Sequence, residues 1–202
     1  MLSQAFSRRE LNISMLDERA GSPPTAAELL RRHASDPDRR ELGALLRDWE
    51  RWSAELLESH ISFPVLAFFR SQHDNQSWIS ALTAILDTCA LVIVGIERAP
   101  VWPARLTFAM ARHAVVDMAN VFHRQPFPPQ PDRLPPAELA RLRETLAAAG
   151  MPLCEGEAAN RKLAELRAMY DPHINTLGAF LLMPLPPWLP PAEAKDNWQA
   201  TV

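Results

Sequence analysis

The chain has 202 residues, enough for one domain with a sizeable core. Apolar residues make up 48% and charged residues 22%, and the net charge is −3; this excludes a disordered chain and leaves no basic surplus for a nucleic-acid backbone. Ala, Leu, Arg and Glu dominate and glycine is scarce, so the composition favours helix.

In chain order, Ser7-Arg8-Arg9-Glu10 reads as a capping box, with Ser7 as cap and Glu10 reaching back. The helix it opens carries Leu11, Met15 and Leu16 and is expected to stop near Gly21. Thr25-Ala26-Ala27-Glu28 is a second box, for a short helix through Arg32. Asp36 is placed to cap a third helix with Pro37 in its first turn. Its Leu42, Leu45, Leu46, Trp49, Trp52, Leu56 and Leu57 recur at helical spacing. Ser62 and Pro64 start a short aromatic helix with Phe63, Phe68 and Phe69. Asp74 or Asn75 is expected to cap the next, Trp78 to Ile96, which is apolar nearly all round. The chain turns at Arg98–Pro103 and returns as a helix from Ala104 to Phe122.

The proline-rich stretch 125–136 reads as a linker. It marks a subdomain boundary between a main bundle, 1–124, and residues 137–202, two further helices and an extended tail expected to pack on the bundle. The helices are expected at about Pro136–Ala149 and Ala158–Leu182, the second kinked at Pro172. The tail from Met183 to Pro191 has too many prolines for a helix, so it should run extended and anchor through Trp188. The expected fold class is all-α: a multi-helix bundle around a central apolar helical hairpin, with a Pro-rich C-terminal tail.

The run Ile79–Ile96 reaches the lower length limit of a membrane span. Asp87 at its centre would be costly in lipid, and the returning helix carries Arg105, Arg112, His113 and Asp117. A buried hairpin, with no membrane span in this chain, accounts for both helices. Asp87 lies about 13 Å from the turn at about 1.5 Å per residue, level with Arg112 and His113 on an antiparallel partner. A buried carboxylate needs a partner, so Asp87 is expected to pair with Arg112 or His113.

Candidate chemistry is sparse. Arg70-Ser71-Gln72-His73-Asp74-Asn75-Gln76 is the most polar constellation. A small-ligand site there would use His60, Arg70, His73 and Asp74; the simpler reading is a capped loop between helices. His113 and Asp117, one helical turn apart, could hold a metal or orient a base, but more simply form a local surface pair. His60, His73, His113 and Asp117 together are the alternative, a metal- or ligand-binding bundle. His33, His123 and His173 stand near helix ends or prolines and read as structural. No GxSxG elbow, glycine-rich phosphate loop or HExxH occurs, so neither catalysis nor a cofactor is expected. Cys89 lies in an apolar run, and Cys154 precedes Glu155 and Glu157, which disfavour a thiolate. Two unpaired cysteines and no signal peptide suit a cytoplasmic location. A third reading is a plain interaction module docking through Trp102 or Trp198.

Several strings carry a resemblance. They are Gln4-Ala5-Phe6-Ser7-Arg8-Arg9-Glu10, Asn12-Ile13-Ser14, Leu16-Asp17 and Arg19-Ala20-Gly21-Ser22-Pro23-Pro24-Thr25. Further along come Trp52–His60, Phe69–His73, Leu86–Leu91 and Met183–Trp188. Together they resemble the region after the last pore helix of bacterial two-transmembrane-helix potassium-channel-family proteins. The resemblance implies a cytosolic C-terminal domain, self-associating and coupled through residues 7–20 to a pore module. No filter sequence or pair of apolar spans precedes Ser7, so no ion-binding residue is carried over.

Overall fold

The computed structural model describes residues 2–71, 76–194 and 198. Among these it is all-helical, with eight α-helices and one isolated antiparallel bridge between Ile96 and Leu153. In chain order the helices are α1 (Leu2–Ala20), α2 (Ala26–Arg32), α3 (Arg40–Ser62), α4 (Trp78–Gly95), α5 (Val101–Val121), α6 (Pro136–Ala148), α7 (Glu157–Ala168) and α8 (Asp171–Leu181). Trp78–Gly95 is long and apolar enough to cross a membrane, yet 94% of it is buried inside the bundle.

The organising element is α4. Every residue from Trp78 to Val94 is buried, which is why its sequence has no polar face. Its polar groups are satisfied within the protein. Thr83 and Thr88 donate to the carbonyls of Ile79 (2.6 Å) and Ala84 (2.7 Å), and Lys162 of α7 donates to Ile93 O at 2.6 Å. The cap is Ser77, whose side chain accepts from Ser80 N at 3.0 Å. The expected caps Asp74 and Asn75 lie outside the described residues. Around α4 pack α3 and α5 on one side and α1, α2, α7 and α8 elsewhere.

Several local expectations are corrected. α1 runs from Leu2, so Ser7 lies inside it, and Glu10 pairs with Arg9 at 2.9 Å instead of reaching back. Thr25 does cap α2, accepting from Glu28 N at 3.3 Å, while the Glu28 carboxylate holds Arg31 and Arg32. Asp36 caps α3 from outside: it accepts from Glu41 N at 2.9 Å, but Pro37 is not helical and α3 starts only at Arg40. Arg39 explains the delay. Its backbone is left-handed, and its guanidinium ties down the carbonyls of Ala34, Asp36 and Gly150. The aromatic segment is a 3₁₀ turn, Pro64–Phe68. The long final helix is two: α7 ends at Ala168 and α8 restarts with Pro172 in its first turn, where the missing N–H costs nothing.

The helices and tail after the proline-rich stretch share one core with the bundle. Leu134, Leu142, Leu163, Leu177 and Trp188 belong to the same apolar cluster as Leu46, Ile85 and Val115. Gly95 closes the α4 end of this packing. Its φ is +143°, and a Cβ there would meet Cys154 Sγ at 2.6 Å, while its carbonyl accepts from Cys154 N at 2.9 Å.

Candidate functional site

Two buried polar clusters and one exposed apolar pole stand out. The first cluster surrounds Asp87, whose position on α4 is wholly buried. Its cation is Arg133, from the proline-rich stretch: Arg133 Nη2 lies 2.6 Å from Asp87 Oδ2, and Tyr170 donates its hydroxyl to Asp87 Oδ1 at 2.6 Å. Arg133 also reaches Asp171 Oδ1 at 2.8 Å and the Pro186 carbonyl at 3.0 Å. Arg167 bridges Asp171 (2.9 Å) to Asp132. Both guanidiniums lie over the Trp188 ring, at 5.7 and 5.6 Å from its centroid. Burial pushes the Asp87 carboxyl up, and the Asp171 charge adds to this, while Arg133 and the Tyr170 hydroxyl pull it down. Burial also works against the Arg133 cation, but Asp87 and Asp171 outweigh it and hold the guanidinium charged. The whole is a closed lock joining α4, the 132–133 segment, α7, α8 and the tail.

The expected pairing of Asp87 with Arg112 or His113 is therefore corrected. The buried face of α5 is Ala104, Thr107, Phe108, Ala111, Ala114, Val115 and Met118, which turns residues 112 and 113 outward. His113 is exposed and pairs with Asp117, at 3.5 Å. The rotation of α5 about its axis, not distance along the hairpin, keeps both side chains from Asp87.

The second cluster centres on Arg9, buried where α1 crosses the end of α3. It donates to Leu66 O (2.8 Å), Phe69 O (2.7 Å) and Glu10 (2.9 Å), and approaches His60 Nε2 at 3.4 Å. Trp52 Nε1 in turn donates to Arg9 O at 3.3 Å. His60 Nδ1 sits 2.8 Å from Leu56 O, an acceptor, so Nδ1 carries the proton and Nε2 presents its lone pair to Arg9. Burial foremost, and the Arg9 charge, lower the His60 pKa from 6.5 to about 4, against the Leu56 hydrogen bond, so the ring is neutral. Its face lies against Trp78, centroids 5.4 Å apart.

Of the expected ligand site, only His60 and Arg70 are among the described residues, and their side chains turn to different partners. His60 is enclosed by Arg9 and Trp78, whereas Arg70 is exposed and donates to Leu182 O at 2.8 Å. His73 and Asp74 lie outside the described residues. Among the described residues no group of three or more His, Cys, Asp or Glu side chains could hold a metal ion. Cys89 is buried, which pushes its thiol pKa up, and Cys154 is exposed. Trp102 is exposed, and Trp198 stacks on Arg32 at 4.6 Å and donates to Glu18 O.

The pole is formed by the 3₁₀ turn, the C-terminal ends of α5 and α8, and the start of α1. Phe68, Phe122 and Phe180 meet edge-to-face or tilted, with centroids 5.3 to 5.7 Å apart, and Phe6 meets Phe69 at 6.1 Å. No family model, curated protein or solved structure matches the chain.

Proposed function

We propose that this chain is a non-catalytic cytosolic assembly and regulatory domain of the kind that follows the pore module of a bacterial potassium-channel-family protein. The observation that carries the reading is the disposition of α1. One face is clamped to the bundle through Ile13, Leu16, Ala20 and the Arg9 hydrogen bonds. The other face presents Leu11 (63% exposed) and Met15 (43%), one turn apart, to solvent. A second copy would cover that stripe, and a displacement of α1 would pass through Arg9 to the 3₁₀ turn and His60. The strings on which the resemblance rests also include residues of both buried clusters: Arg9, Trp52, His60 and Phe69 in one, Asp87, Pro186 and Trp188 in the other.

Self-association of the purified chain tests this. Multi-angle light scattering should give a discrete oligomer, most simply with cyclic symmetry. Leu11→Lys with Met15→Lys should shift it to monomer without lowering its melting temperature. Monomeric wild-type protein at high micromolar concentration would overturn the assembly role.

A further inference from the structure

The aromatic pole combines exposed apolar side chains with arginines. Residues of four stretches, 2–9, 59–71, 118–131 and 172–192, meet there through Phe6, Phe68, Phe69, Phe122 and Phe180. None contains an aspartate or glutamate, although the whole chain carries 24 of them. Large apolar side chains stand exposed on these stretches: Ile61, Val65, Phe68, Phe69, Phe127 and Leu182, the last at 75%. Among them sit exposed arginines. Arg70 is fixed by the Leu182 carbonyl, and Arg124 lies 3.9 Å above the Phe180 ring.

We propose that this pole is a peripheral docking surface for an anionic lipid bilayer. Three features select that occupant. The apolar groups project from a short 3₁₀ turn and two helix ends, where they can enter the headgroup boundary without exposing unpaired strand edges. The arginines hold their guanidiniums beside the rings, so apolar insertion and contact with lipid phosphates occur together. A second copy is disfavoured, because two such poles face to face would set Arg70 and Arg124 of one against those of the other. The inference does not rest on the channel reading: it concerns a different face from the Leu11–Met15 stripe.

Vesicle co-sedimentation of the full chain tests it. Vesicles of phosphatidylglycerol and phosphatidylcholine should bind the protein at low salt, and pure phosphatidylcholine vesicles far less. Arg70→Gln with Arg124→Gln should weaken binding by roughly thirtyfold. Val65→Ser, at an exposed site, should weaken it with the circular-dichroism melt unchanged. No binding to the anionic vesicles, or binding untouched by either variant, overturns the proposal. Equal binding to soluble polyglutamate with no vesicle binding overturns it in favour of an acidic protein partner. Light scattering in the same buffer reads self-association separately, so either result stands without the other.

Discussion

Arg133 is the residue on which the buried charges depend. It neutralises Asp87 and Asp171 at once, in a site where neither has solvent. Arg133→Met leaves two buried carboxylates without their shared cation and should cost about 3–5 kcal/mol in urea unfolding. Tyr170→Phe removes one donor from Asp87 and should cost about 1–3 kcal/mol by the same measurement. His60 makes stability depend on pH. In the unfolded chain the ring takes up a proton below its ordinary 6.5; in the folded chain it does so only near 4. Its contribution is thus complete above pH 6.5 and is lost as pH falls through 4, on the order of 3 kcal/mol in all. His60→Gln should flatten the pH dependence of stability between those limits, as followed by chemical denaturation at several pH values.

Elements show where a one-dimensional pattern suffices. The α3 stripe and the featureless apolar length of α4 are legible because burial on one face or on all faces leaves a periodic trace. The ends are less so, since a cap depends on which donors remain unpaired in three dimensions. Ser77 has the same capping chemistry as Asp74 and Asn75, and proximity in sequence does not distinguish them. Ser77→Ala should lower stability by about 1 kcal/mol. Gly95 is a tighter constraint: Gly95→Ala meets a positive φ and the Cys154 sulfur together. It should cost about 1–3 kcal/mol, and Cys154→Ala in the same chain should relieve only the steric part.

At the scale of the molecule, the tail is a structural part of the core. Trp188 is buried beneath two guanidiniums, its carbonyl accepts from Ala27 N at 3.1 Å, and Pro186 accepts from Arg133. Trp188→Ala should cost about 3–5 kcal/mol, seen as a large fall in melting temperature by calorimetry. Composition and periodicity by themselves determined the all-helical class, the order and approximate extent of the helices, and the burial of Trp78–Val94, because each follows from local propensity and the count of apolar faces. Only the tertiary structure decided which cation meets Asp87, that Arg133 and Leu134 of the proline-rich stretch reach into the core, and that residues of four acid-free stretches converge on one pole. The physical reason is common to all three. Pairing and convergence depend on the rotation of each helix about its axis and on contacts between residues far apart in sequence, and neither leaves a periodic signal along the chain.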